Sequence, residues 1–176
     1  MTPPSISILI KLFKAKAWAN DEIFSAMLQL DEATQKDDRH LAIRIMNHTF
    51  VVDQIFRAHL LCKQHNYAAS NTPETPTLAA LTAAVASSDA WFVEYVSGID
   101  STALHEPLKF KFTDGDAGTM TGEEILHHLI THGSYHRGAA GRILANLSIA
   151  PPRDVFSGFL HKTEPTRREA AALSSQ

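Results

Sequence analysis

The sequence predicts an all-α protein, a four-helix bundle with a short β-hairpin-like insert before its last core helix. Four segments of roughly 20 residues carry apolar residues at helical spacing. Only one short segment alternates with a period of two, which excludes a mostly parallel sheet. Four such helices pack most simply as an antiparallel bundle around one core. The 176 residues correspond to one domain, which we place at residues 1–160, before a polar tail at 161–176 that is a candidate for disorder.

The first two helices are predicted at residues 5–30 and 37–62. Two prolines mark the start of the first, and two aspartates suit the positive N-terminal end of the second. Asparagine, serine and proline then cluster over residues 66–76, a composition typical of a loop. The second helix therefore ends before a long connection.

The third helix is predicted at residues 78–96, with Thr77 as its N-cap. Between residues 107 and 120 the period changes, because Leu108, Phe110 and Phe112 alternate with lysines and a turn-rich run follows. This pattern predicts a hairpin or an extended crossover.

The fourth helix is predicted to begin at Thr121, which forms a capping box with Glu124 three residues later. It ends near residue 146, because the prolines at 151 and 152 cannot continue a helix.

Charge and composition exclude several classes of protein. A net charge of −3 without a basic stretch argues against nucleic-acid binding. The apolar run at residues 6–13 is too short for a membrane span of about 20 residues. Cys62 is the only cysteine, so an intramolecular disulfide and a cysteine-based metal cluster are both excluded. The absence of a basic region before the apolar run argues against a secretory signal, and we expect a cytoplasmic protein.

Histidine is unusually frequent, with ten in the chain and four between positions 127 and 136. His132 and His136 lie four residues apart on the predicted fourth helix, which places both imidazoles on its core-facing side. Buried imidazoles need polar partners, and one divalent metal ion would satisfy both. Imidazole suits zinc, nickel, iron or copper.

His48 is the candidate third ligand, because it lies in the apolar stripe of the second helix. His59 is a rival about 16 Å further along that helix, and His128 lies one turn from His132. The alternative is that His48 is a core histidine hydrogen-bonded to a carbonyl. The remaining histidines are expected to be solvent-exposed: His40, His65, His105, His127 and His161.

The sequence lacks the other common catalytic motifs. Gly133 occupies the position of the glutamate in a His-Glu-x-x-His zinc motif, and no second helix carries the Glu-x-x-His unit of a di-iron bundle. No glycine-rich phosphate loop is present, and Ser134 falls on a different helical face from the histidines.

The segment 129–138, which reads Leu-Ile-Thr-His-Gly-Ser-Tyr-His-Arg-Gly, resembles a motif in the last core helix of the DinB-like, damage-inducible family of four-helix-bundle metal-binding proteins. The resemblance spans about residues 8–160. Three further features agree with it: Trp18-Ala-Asn20 in the first helix, Asn47-His48 in the second, and Pro151-Pro152-Arg-Asp154 near the end.

The resemblance implies a divalent metal held by His48, His132 and His136, with open positions for water or substrate. Zinc and nickel are the first candidates, and manganese and iron are the alternatives. It also implies a homodimer and a small-molecule substrate. Relatives include thiol-dependent transferases and isomerases and metal-dependent hydrolases, so a low-molecular-weight thiol is a candidate cofactor. The catalytic residues stay unassigned, and a non-catalytic metal- or ligand-binding stress protein is the alternative function.

Three further residues, Asp53, Tyr135 and Arg137, each have two interpretations, and two others are expected to have structural roles. Asp53 is interpreted as a surface residue or as an outer partner of the site. Tyr135 is interpreted as a half-buried packing residue or a proton donor, and Arg137 as an ion-pair residue or a binder of a carboxylate or thiol cofactor. Trp18 and Asn20 are expected to pack and to form hydrogen bonds.

Overall fold

The computed structural model describes residues 4–167 and is mostly helical, with one small antiparallel sheet. The helices are α1 (Pro4–Met27), α2 (Lys36–Leu60), α3 (Leu78–Gly98), α4 (Gly122–Asn146) and α5 (Phe156–Thr163). A 3-10 turn at Ala103–His105 precedes the strands β1 (Pro107–Lys111) and β2 (Ala117–Thr121). The predicted helical fold with a hairpin before the last long helix is confirmed. The short helix α5 was not predicted, because eight residues are too few to show a clear period.

The four long helices pack in a ring, in which α1 and α2 each contact both α3 and α4. One apolar cluster joins the C-terminal parts of α1 and α4 to the N-terminal parts of α2 and α3. The second cluster joins the opposite ends. It follows that α1 runs parallel to α4 and α2 parallel to α3, whereas the other neighbouring pairs are antiparallel.

The loop at residues 61–77 corrects the predicted antiparallel order, because it carries the chain back along α2 before α3 begins. The 25 residues of α2 extend over about 37 Å, and an extended chain of this loop's length can span that distance. The composition of the loop predicted a long connection but not its direction. On its return, the loop brings Ser70 and Asn71 against the middle of α2.

The hairpin covers the end of the core where α3 finishes and α4 begins. In its register Phe110 pairs with Gly118, and a Cβ atom at Gly118 would lie 2.5 Å from the Phe110 ring. Leu108, Phe110 and Met120 pack on the second apolar cluster. The turn passes through Gly115, whose φ of +96° suits glycine.

The predicted capping box at the start of α4 is confirmed. The Thr121 hydroxyl accepts a hydrogen bond from the Glu124 amide at 3.2 Å, and the Glu124 carboxylate accepts one from the Thr121 amide at 2.7 Å. We expect Thr121→Ala to lower the free energy of unfolding by about 1 kcal/mol, because an amide of α4 loses its acceptor. Urea denaturation measures this loss. Thr121→Ser is the control and should stay close to the wild type, whereas equal losses in both variants would contradict the capping role.

The domain limit at residue 160 stays a prediction. Helix α5 runs across that position, and beyond it Glu164 forms an ion pair with Lys11 of α1 at 3.1 Å. Of the predicted tail, residues 168–176 lie outside the described residues. In the described part of the chain, no helix combines the length and the apolar character that crossing a membrane requires.

Candidate metal centre

Three histidines from two helices come together near the middle of the molecule. They are His48 of α2 and His132 and His136 of α4, and one nitrogen from each lies within 4.8 Å of the others. The Nε2 atoms of His48 and His132 are 3.1 Å apart. Nitrogen atoms at these separations can share one ion with bonds of about 2.0–2.1 Å, and neutral imidazole is a good ligand for zinc and its neighbours. The structure thus brings together the three residues that the family resemblance implied, and the donor set fits a divalent metal.

The loop after α2 orients His48. Its Nδ1–H donates a hydrogen bond to the carbonyl of Ser70 at 2.7 Å, which leaves the lone pair of Nε2 directed at the other two histidines. The neighbouring Asn47 is buried and donates to the side chains of Asn71 and Thr72, which hold the same loop against α2. The returning loop is therefore part of the site.

The surroundings of the two α4 histidines favour their neutral forms. Burial, together with the neighbouring His136 and His48, lowers the pKa of His132 to about 3. Burial and His48 also lower the pKa of His136. Both imidazoles are therefore uncharged near neutral pH, which is the form that binds a metal ion.

The two rival histidines lie outside this cluster. The ring of His128 stacks on that of His132 with centroids 5.2 Å apart, and it also contacts Phe56 at 5.0 Å. His59 stacks on Phe110 of the hairpin at 4.4 Å. Burial lowers the pKa of both histidines. Neither one contributes a nitrogen to the three-histidine group.

The other histidines follow the sequence prediction only in part. His40, His105 and His127 are exposed as expected. His161 is half-buried, and so is His65, whose ring lies 5.3 Å from that of His59. The local sequence did not predict the packing of His65 because it depends on how the loop folds back after α2.

A buried ionic network lies in the same layer of the molecule as the histidines. Lys16 of α1 is 2% exposed, and its Nζ atom lies 2.6 Å from Asp53 Oδ2 and 2.9 Å from Asp89 Oδ1. Burial lowers the pKa of Lys16, but the two carboxylates together raise it above its usual value. Burial also raises the pKa of Asp53, against the opposing effect of Lys16. The interpretation of Asp53 as a surface residue is wrong.

The network continues across the core to α4 and the segment before α5. Asn20 donates to Asp89 at 2.7 Å and accepts from Arg137 at 3.0 Å. Arg137 is 4% exposed and also pairs with Asp154 at 2.8 Å. This confirms the ion-pair interpretation of Arg137 and the hydrogen-bonding role of Asn20. Along α1, α3 and α4, these polar groups lie between the residues of the two apolar clusters.

Sequence reasoning missed Lys16, although a signal was present. Lys16 continues the buried stripe that starts at Leu9 and Phe13, and Asn20 follows one turn later. A charged residue in such a stripe needs a buried partner of opposite charge. The stripe could have identified Lys16 as buried, but it could not have identified its partners.

Two other polar residues of the α4 motif, Ser134 and Tyr135, lie outside the three-histidine cluster. Tyr135 is 76% exposed, so its interpretation as a half-buried packing residue is wrong. Its ring contacts the edge of the His136 ring with centroids 5.1 Å apart. Ser134 donates to Asp154 at 3.1 Å. The indole of Trp18 donates to Glu22 at 3.1 Å and packs against Phe159, as expected.

Comparison with known families gives a match to the DinB family over residues 5–169, which is nearly the whole chain. Comparison with curated proteins and with solved structures gives no match.

Proposed function

Because this chain belongs to the DinB family, we propose that it binds a divalent metal at His48, His132 and His136 and uses this open site in a reaction on a small molecule. The reaction is a thiol-dependent S-transfer or a hydrolysis. The observation that carries the proposal is the convergence of three imidazoles from two helices in one half-buried cluster. We also assign α1 to α4 to the four-helix bundle of this family.

The ligand set determines which chemistry the site can support. Three neutral ligands leave the full charge of a divalent ion, and a three-ligand protein site keeps a position open. A metal bound there would lower the pKa of a bound water or hold a thiol as its thiolate. Zinc and nickel are the first candidates, with manganese and iron as alternatives, because imidazole ligands do not select one of these ions by themselves.

The chain's own residues prepare the site for a ligand from solvent. The Ser70 carbonyl fixes the tautomer and the direction of the His48 ring. All three histidines are only half-buried, so one side of the cluster is open. Tyr135 is exposed beside His136, where its hydroxyl could contact a bound molecule.

One observation favours the alternative, a metal- or ligand-binding stress protein without catalysis. Within residues 4–167, the metal-ligand cluster contains three histidines and no carboxylate. The buried Asp53 is engaged with Lys16 rather than exposed to substrate. No general base can therefore be assigned, and an enzyme would have to rely on the metal and the substrate for proton transfer.

The test uses untagged protein, because an affinity tag can itself bind metal. Elemental analysis should find about one divalent metal per chain after reconstitution with zinc, nickel or manganese. Metal-loaded and metal-stripped protein are then assayed with low-molecular-weight thiols plus electrophilic acceptors, and with ester and amide substrates. Metal-dependent turnover supports the enzyme, and stoichiometric metal without turnover supports the alternative. If no metal binds under any of these conditions, both functions are contradicted.

We also propose a cytoplasmic homodimer, with no membrane or nucleic-acid partner. The family resemblance supports the dimer, and the net charge of −3 supports the absence of nucleic acid. Sedimentation equilibrium of the metal-loaded protein should give twice the mass of one chain, and a monomer mass would contradict the dimer.

A further inference from the structure

Two buried polar atoms, one on α2 and one on α4, lack hydrogen-bond partners. They are Oδ1 of Asp53 and Nδ1 of His132. Buried polar atoms without partners are rare and destabilising, so each one requires an explanation. Both residues are close to Lys16. Its Nζ atom binds the other oxygen of Asp53, and its charge helps to lower the pKa of His132.

The packing of α2 against α4 places the two residues at the same level. These helices are antiparallel, and their ring contacts define the register. Before Asp53 along α2, the ring of His48 lies 4.6 Å from that of His136. After Asp53, the ring of Phe56 lies 5.0 Å from that of His128. Along α2, Asp53 lies between His48 and Phe56.

Along α4, His132 lies between His128 and His136. The Cε atom of Lys16 also passes 3.5 Å from the place where a Cβ atom on Gly133 would sit, directly after His132. Asp53, Lys16 and His132 therefore meet in one region between α1, α2 and α4.

The hydrogen bonds of His48 explain why the two atoms are unpaired. Since His48 donates from Nδ1 to Ser70, its Nε2 can only accept. The contact of 3.1 Å between the two Nε2 atoms then requires His132 to carry its proton on Nε2. Nδ1 of His132 is consequently an acceptor, as is the carboxylate oxygen of Asp53, and two acceptors cannot bond to each other.

A metal at the three histidines would reverse this arrangement. Ligation through Nε2 of His132 requires the proton of that ring to be on Nδ1, with no net gain or loss of a proton. A buried N–H donor then lies in the same region as the unpaired Asp53 oxygen. Histidines that bind a metal almost always donate their second N–H to a carboxylate, a carbonyl or water.

We propose that Asp53 is a positioning residue of the metal centre. Its Oδ1 accepts a hydrogen bond from Nδ1–H of His132, directly or through one buried water, when the three histidines hold a metal. Lys16 holds the other carboxylate oxygen and so leaves Oδ1 for His132. This inference rests on the proposed metal binding.

The test compares Asp53→Asn with Asp89→Asn. Both substitutions remove one negative charge from the surroundings of Lys16 in the same buried network. In Asp89 both oxygens already have partners, Lys16 and Asn20, so it has no oxygen to offer His132. In Asp53→Asn the amide oxygen stays on Lys16, and the NH₂ group faces His132 as a second donor.

We expect Asp53→Asn to weaken zinc binding by about 10–100-fold, because the required tautomer of His132 loses its acceptor. Asp89→Asn should keep the wild-type affinity. Competition with a chromophoric chelator measures the affinities, and the visible spectrum of cobalt-loaded protein should change in Asp53→Asn alone. Wild-type affinity in Asp53→Asn, or equal losses in both variants, would overturn the proposal.

A second measurement uses the wild type and does not depend on how the variants fold. Imidazole nitrogen and proton NMR should show the His132 proton on Nε2 without metal and on a slowly exchanging Nδ1 with zinc. If the Nδ1–H of His132 in zinc-loaded protein exchanged with solvent as fast as the second N–H of His136, the proposal would be wrong. A wild-type protein that bound no zinc would instead contradict the proposed metal binding itself.

Discussion

Replacing His132 by alanine is expected to abolish stoichiometric metal binding. His132 contacts both of the other histidines, with its Nε2 atom 3.1 Å from that of His48 and its ring 4.4 Å from that of His136. Loss of a direct ligand should lower the affinity by more than the roughly 10–100-fold that loss of an outer hydrogen bond costs. We expect the same result for His48→Ala and His136→Ala.

Elemental analysis of the untagged variants measures this loss, and circular dichroism shows whether the helices remain. A metal that binds only the folded protein raises its melting temperature, so the rise that zinc produces in the wild type should disappear in each variant. If the wild type is active, its metal-dependent turnover should disappear as well.

His128→Ala is the matched control, because its ring stacks on His132 but lies outside the three-histidine cluster. It should retain about one metal per chain. A metal-free His128→Ala beside a metal-loaded His48→Ala would show that His128, and not His48, completes the site. Full metal content in all three alanine variants of the cluster would contradict the metal centre altogether.

The sequence predicted the local features of the fold well, because short-range interactions determine them. Thr77 and Thr121 both cap helices as predicted, since each hydroxyl needs only the amide three residues later in the chain. The β insert was predicted for the same reason, because alternation of side chains is visible within five residues.

The sequence predicted the three-histidine cluster only in part. Spacing along one helix was enough to pair His132 with His136. It could not decide between His48 and His59, because that choice depends on the register of α2 against α4. The family resemblance implied His48. The structure provides the physical basis, since the returning loop orients His48 while His59 stacks on the hairpin.

The buried network could not be predicted, because its members come from four different helices. Recognising Asp53 and Asp89 as partners of Lys16 requires knowing that α2 and α3 run parallel and present these residues at one level. That arrangement depends on the direction of the loop at residues 61–77, which its composition does not encode. The sequence therefore left Asp53 open between a surface residue and an outer partner of the site, and did not connect it to Lys16.

Lys16→Met is expected to be the most destabilising single substitution proposed for this chain. The lysine side chain is almost fully buried, and it is the ion-pair partner of two buried carboxylates at 2.6 and 2.9 Å. Methionine has a similar length but leaves both carboxylates without their cation. Removing one partner of a buried ion pair typically costs about 3–5 kcal/mol, which for a chain of this size lowers the melting temperature by roughly 6–20 °C.

Thermal and urea unfolding of metal-free protein measure this loss without a contribution from the metal. Lys11→Met is the control, because Lys11 of the same helix forms a partly exposed ion pair with Glu164. Such pairs contribute at most about 1 kcal/mol. Neutralising the two acids as well, in Lys16→Met/Asp53→Asn/Asp89→Asn, should restore part of the lost stability, because uncompensated buried charge is the cause of the loss. If Lys16→Met were as stable as the wild type, Asp53 and Asp89 would have to be protonated in the folded protein, and the ionic network described for this layer would be wrong.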